Sequence, residues 1–176
     1  MMSLVYVFWM YVVVFAIIGW LRGWAKELLV SFSVILALTF IHVTYRYLPV
    51  QALINTPTMN FWFRTLVLGL VVFFGYQTVI SVPRLASKAL RERFQDSLFG
   101  IVLGALNGYL IAGSVLFFLH DAGYPFPQVV TPPPPTSPLA ETLTRMMDYM
   151  PPAVLGEPGI YFAVILSFIF VLVVYI

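Results

Sequence analysis

The chain of 176 residues contains no cysteine, only two histidines and few charged side chains. Without cysteine, the chain can form neither a disulfide nor a thiolate-held metal or iron–sulfur centre. Charged residues make up 9% of the sequence, against about 25% in an average soluble domain. Nine basic and seven acidic residues leave a net charge of only +2, too little for the clustered basic surface that binds nucleic acid. Composition therefore excludes a soluble enzyme and a nucleic-acid-binding protein, and we expect no cofactor.

Hydrophobic residues make up 61% of the chain and are concentrated in five long stretches. These stretches cover residues 4–21, 28–43, 61–82, 98–119 and 160–176. A helix needs roughly 17–25 mostly apolar residues to cross a membrane. The sequence therefore predicts an all-α integral membrane protein, a bundle of four to five transmembrane helices with short amphipathic interfacial helices. We divide the chain into a four-helix membrane domain (1–122), an outer proline-rich loop (123–159) and an additional C-terminal transmembrane helix (160–176).

The placement of lysine and arginine predicts how the helices are oriented in the membrane, because basic residues collect in cytoplasmic loops. The loops after the first and third stretches contain Arg22, Lys26, Arg84, Lys88, Arg91 and Arg93. The other side of the membrane has only Arg46, Arg64 and Arg145. We therefore expect both basic loops in the cytoplasm, and the N-terminus and residues 123–159 outside.

Two segments between the apolar stretches have patterns of their own. Residues 84–94 place apolar and basic side chains on opposite faces at helical spacing, which is typical of a short helix on the membrane surface. Prolines between residues 123 and 138 favour an extended spacer over a continuous helix.

A second amphipathic helix is predicted after this spacer, with Ser137 as its cap and Pro138 at its first position. One face of the helix is apolar and rich in methionine, a side chain that adapts to irregular surfaces. This face consists of Leu139, Leu143, Met146, Met147 and Met150. It can pack on lipid or on the bundle, or it can form the surface for a protein partner.

Small residues recur every four positions in the fourth apolar stretch, at Gly100, Gly104, Gly108 and Ala112. Helices in lipid associate by close packing, and a line of small residues lets another backbone approach closely. This line predicts a helix-packing surface, against either another helix of this chain or another protein. Asn107 and Gln77 lie deep in their stretches, where each can form a hydrogen bond between helices.

The side chains needed for catalysis are not arranged in a recognisable pattern. His42 and His120 have no second strong ligand at a suitable spacing, so we expect no metal site. Ser114 lies six residues before His120, too far along a helix for a hydrogen bond, which argues against a serine protease. The central parts of the spans contain no ionisable residue, so no proton relay is predicted. We assign no catalytic residue.

Two motifs carry a resemblance to a known family. The first combines Gly19, Arg22, Gly23, Lys26 and Glu27, and the second combines Asp96 with Gly100, Gly104 and Gly108. They resemble the G-x-x-R-G-x-x-[KR]-E and D-[RK]-x-x-G-x-x-x-G-x-x-[RK]-G patterns of the colicin V production protein (CvpA) family. This chain has Ser97 and Asn107 where the family usually has basic residues, and its fifth stretch is additional to the usual four.

The resemblance implies a non-enzymatic bacterial inner-membrane protein that supports toxin (colicin V) production, secretion or envelope maintenance. Gly23 would then allow a tight reversal between the first two helices. Arg22, Lys26 and Glu27 would lie at the inner interface, where they pair, hold lipid headgroups or simply set the topology.

Two other functions are compatible with the sequence. The chain can be an accessory subunit of a larger membrane complex, photosynthetic or respiratory, attached through the small-residue line or the fifth helix. It can also be a small channel or facilitator that uses backbone and hydroxyl groups. In each case the expected partners are the lipid bilayer and other membrane protein subunits, and no nucleic acid.

Overall fold

The computed structural model describes residues 4–50, 54–77, 90–130, 133–134 and 137–175. Within these ranges the regular structure is helical, which confirms the all-α membrane fold class. The helices are α1 (Leu4–Arg22), α2 (Trp24–Tyr47), α3 (Pro57–Gln77), α4 (Leu90–Asp121), α5 (Pro138–Met147), α6 (Pro151–Val154) and α7 (Gly159–Tyr175).

Four helices, α1 to α4, are long and apolar enough to cross a membrane, and α7 is a shorter apolar helix. α2 begins four residues before its predicted start and ends four residues after its predicted end, because its polar end residues are also helical. The predicted third stretch ends at residue 82, but residues 78–82 lie outside the described residues, as do residues 84–89 of the predicted surface helix. From Leu90 onward that segment is the first turn of α4, not a separate helix.

α1 and α4 pack against each other in antiparallel fashion through glycine. A Cβ atom on Gly104 would overlap the carbonyl oxygen of Phe15, and one on Gly108 would lie 2.8 Å from the Cα atom of Val12. Gly100 and Gly19 face each other so closely that a Cβ atom on either would overlap the other's carbonyl oxygen. The small-residue line of α4 is therefore covered by α1 of the same chain.

α2 forms the centre of the bundle and contacts α3, α4 and α7. Val30, Val34 and Ala37 on α2 are completely buried. α7 packs mainly on α2, where the rings of Phe32 and Phe168 lie 6.2 Å apart. The division of the chain at residues 122 and 159 stays a prediction.

α5 covers the bundle with its methionine-rich face. Its cap forms as predicted, since the Ser137 hydroxyl accepts a hydrogen bond from the backbone N–H of Ala140 at 3.2 Å. Leu143, Met147 and Met150 are buried, and Met150 packs against Gly113 of α4. These three side chains therefore pack on the bundle, which is one of the predicted alternatives, and a partner surface on this face stays a prediction. Leu139 is half exposed and Met146 is partly buried.

Candidate functional site

The turn between α1 and α2 brings the two motifs into contact. Gly23 is the single residue between these helices and has a φ of 82°, a conformation that glycine adopts easily. A Cβ atom at this position would also lie 2.9 Å from the carboxylate oxygens of Asp96. Asp96 Oδ1 accepts a hydrogen bond from the backbone N–H of Trp24 at 3.2 Å, so it satisfies a free donor at the start of α2. We call this end of the bundle, where α1 ends and α2 and α4 begin, the motif end.

Glu27 lies in the interior of the bundle with no exposed surface. Its Oε2 accepts a hydrogen bond from Nδ2 of Asn107 at 2.8 Å, and its backbone carbonyl accepts one from the same nitrogen at 2.9 Å. The Ser31 hydroxyl donates to Oδ1 of Asn107 at 2.7 Å. The amide of Asn107 therefore connects α4 to two successive turns of α2.

Glu27 lies on the first turn of α2, one residue before the predicted second stretch, and the neighbouring helices enclose its side chain completely. Its position at the inner interface stays a prediction. α1 and α4 approach closely at their glycines. Asn107 of α4 reaches Glu27 on the first turn of α2. An amide in this position compensates part of the cost of placing a carboxylate in an apolar medium. Gln77, by contrast, is exposed and is the last described residue of α3, so its depth in the predicted third stretch stays a prediction.

Arg22 connects Glu27 to the end of α3. Its Nη1 lies 3.4 Å from Oε1 of Glu27, an ionic contact rather than a hydrogen bond. Its Nη2 donates to the backbone carbonyl of Tyr76 at 3.2 Å, and the guanidinium lies 4.3 Å from the centre of the Tyr76 ring. We call the set that joins α1, α2, α3 and α4 the four-helix polar cluster: Arg22, Glu27, Ser31, Tyr76 and Asn107.

The remaining predicted site residues lie around this cluster. Lys26 is partly buried on the first turn of α2, next to Glu27 but outside the cluster. Gly19, Gly100, Gly104 and Gly108 form the α1–α4 contact beside it. Ala112 continues this side of α4 and lines a cavity with residues of α1. The structure thus brings Asp96 and Gly100 of the second motif onto Gly23 and Gly19 of the first at the motif end.

The polar atoms of the cluster form contacts between helices. The Ser31 hydroxyl donates to an amide oxygen, so no base activates it. Ser114 donates to the carbonyl of Leu110 at 2.6 Å, and His120 contacts the hydroxyl of Tyr124 at 3.1 Å. Among the described residues, no group of three acidic or histidine side chains could hold a metal ion.

A second set of ion pairs lies at the opposite end of the bundle. Arg64 Nη1 donates to Oδ2 of Asp121 at 2.7 Å. His42 Nε2 lies 2.9 Å from Oε1 of Glu157, and the hydrogen bonds from His42 and Tyr161 lower the pKa of Glu157. The partners of Arg64 and His42 lie 57 and 115 residues away along the chain, so no local sequence pattern reveals these pairs.

The chain was compared with known protein families, curated proteins and solved structures. The family described as "Colicin V production protein" matches residues 5–148. This range includes both motifs and helices α2 to α5, and it ends before α7. No curated protein matches, and no solved structure matches.

Proposed function

Because this chain belongs to the colicin V production protein family, we propose that it supports production or secretion of that toxin, or maintenance of the cell envelope, without catalysing a reaction. The family is not known as a family of enzymes. The four apolar helices make the protein a multi-pass membrane protein. We place it in the bacterial inner membrane with the motif end towards the cytoplasm, since most of its basic residues lie in the loops at that end.

The convergence of the two motifs is the observation that supports this proposal. Asp96 lies more than seventy residues after Gly23, and yet the two are in contact. Their neighbours Arg22 and Glu27 belong to the four-helix polar cluster. The residues shared with the family therefore specify how one end of the bundle is packed. We propose that the protein acts through this packed end. The packing would hold the loops of the motif end in position to contact other components of the membrane.

A complementation experiment tests the proposal. A bacterial strain that secretes colicin V and lacks its own family member is given the wild-type chain, Asp96→Ala or Gly69→Ala, with membrane abundance measured for each. Wild type and Gly69→Ala should restore toxin release, because a Cβ atom at Gly69 meets nothing within 4 Å. Asp96→Ala should fail at equal abundance, because the start of α2 loses its cap.

The same strains separate the possible results. Resistance to detergent and to large antibiotics is measured in parallel, so that an envelope role is detected even where toxin release is unchanged. If the wild-type chain restores neither property, or if Asp96→Ala restores both as well as wild type does, the proposal is wrong.

An accessory role in a larger complex is a second candidate, and α7 is the observation that favours it. This helix lies beyond the matched region, and its large apolar side chains are well exposed, among them Phe162, Leu166 and Val173. Purification in a mild detergent distinguishes the two functions. Stoichiometric co-purification with pigment- or haem-bearing subunits supports the accessory role, and a lone species counts against it.

A further inference from the structure

An apolar groove runs from the motif end along one side of the bundle, between α2, α4 and α7. Its first part is a cavity of about 570 Å³ lined by Trp24, Leu28, Asp96, Phe99, Leu103 and Phe170. A second cavity of about 290 Å³ shares Leu28, Leu103 and Phe170 and continues along Phe32, Ile35 and Leu106. The two cavities are therefore parts of one groove, which we call the α2–α4–α7 groove.

The length of this groove matches one leaflet of a membrane. From Asp96 at its mouth to Leu106 at its far end, the groove follows ten residues of α4. At 1.5 Å per residue, these residues span about 15 Å. That length is half of a hydrocarbon core about 30 Å thick. An occupant that enters at the motif end thus reaches about as deep as the acyl chain of a single lipid.

The groove lining argues against a second transmembrane helix as the occupant. Helices associate in lipid where small residues let their backbones approach. Three glycines of α4, Gly100, Gly104 and Gly108, face α1 instead. The groove side of α4 presents Phe99, Val102 and Leu103. Bulky side chains with gaps between them suit a thin, flexible hydrocarbon chain.

The mouth of the groove contains polar groups suited to a lipid headgroup. Trp24 and Gln95 lie there with Asp96, and tryptophan is typical of the membrane interface. The carboxylate of Asp96 would attract an ammonium group placed beside it and repel an anionic one. We propose that the groove binds one phospholipid of the leaflet at the motif end, with an acyl chain along α4 and a zwitterionic, amine-bearing headgroup at Asp96.

Native mass spectrometry of the full chain tests this proposal. The protein is reconstituted in equal amounts of phosphatidylethanolamine and phosphatidylglycerol, and then released under increasing collision energy. We expect wild type to keep one lipid at energies that remove the others, and that lipid to be mainly phosphatidylethanolamine. Asp96→Asn keeps an oxygen that can cap α2, so it should still retain one lipid but lose the preference between the two.

Filling the groove provides the complementary test. Leu103→Trp and Leu106→Trp should each abolish retention, and Leu66→Trp, at an exposed position on α3, is the matched control that should keep it. Leu106 is itself half exposed, so its variant tests the groove even if Leu103→Trp does not fold. The proposal is overturned if the retained lipid mirrors the equal mixture, or if Leu106→Trp keeps the lipid. It is equally overturned if a second copy of the chain or another protein is retained in place of the lipid.

Discussion

At the scale of single residues, Asn107 is the side chain on which the four-helix polar cluster depends. Its amide donates to the carboxylate and to the backbone carbonyl of Glu27, and it accepts from Ser31. The three groups are buried among apolar helices, where no water replaces a missing partner. Because Glu27 is buried, losing its hydrogen bonds would leave a carboxylate without a partner. An unpaired buried carboxylate costs more free energy than an unpaired neutral group.

Replacing Asn107 with leucine should therefore destabilise the protein. The change keeps the volume of the side chain similar but removes both donors from Glu27, which should lower the free energy of unfolding by about 1–3 kcal/mol. Thermal unfolding in mild detergent measures the loss. The matched control is Gln77→Leu, at an exposed position, which should change stability by less than about 0.5 kcal/mol.

A double variant shows whether the carboxylate is responsible. Glu27→Gln removes the charge that Asn107 compensates. In the Glu27→Gln background, Asn107→Leu should therefore lower the free energy of unfolding by less than it does in the wild-type chain. If the two effects simply add, the cluster has no energetic coupling of the kind that its geometry indicates.

At the scale of elements, the α1–α4 contact determines how closely the helices pack. Close approach through glycine is one of the few sources of affinity between helices in lipid, because leaving the lipid gains no hydrophobic energy. The line of small residues was visible in the sequence, but its partner was not. Periodicity shows which face of a helix is smooth, whereas only the arrangement of the bundle shows that α1 covers it.

Gly104→Ala should separate α1 from α4. The added methyl group would overlap the carbonyl oxygen of Phe15, and the backbone cannot move aside as a flexible side chain can. We therefore expect the free energy of unfolding to fall by about 1–3 kcal/mol. Gly69→Ala is the control, and it should raise the free energy of unfolding. Nothing lies near its Cβ atom, and alanine favours a helix over glycine by roughly 0.5–1 kcal/mol. Thermal unfolding of the two variants side by side measures the difference, and equal shifts would contradict the α1–α4 packing.

At the scale of the whole molecule, the two ends of the bundle have different chemistry. The motif end contains the tight turn at Gly23 and the four-helix polar cluster. The opposite end is covered by α5 and α6 and contains the ion pairs of Arg64 and Glu157. If the motif end faces the cytoplasm as we propose, the buried methionine face of α5 covers the bundle from outside.

The absence of native cysteine allows this orientation to be measured directly. Ser87→Cys, at a position outside the described residues that we expect on the cytoplasmic side, should react in intact cells only with a reagent that crosses the membrane. Val129→Cys, at a position 84% exposed near the opposite end, should also react with a reagent that does not cross. The reverse pattern would show that the motif end faces outwards.

The sequence by itself determined that the chain folds in a membrane. It also determined the approximate spans, the cap of α5 and the family motifs. These depend on composition and on residues within a few positions of each other, which local physics governs. Only the tertiary structure decided that Glu27 is buried on Asn107, 80 residues away, and that the methionine face rests on its own bundle. In lipid, an apolar surface is equally stable against a neighbouring helix or an acyl chain, so the helix that covers it depends on close fit and on distant polar partners, which no local pattern encodes.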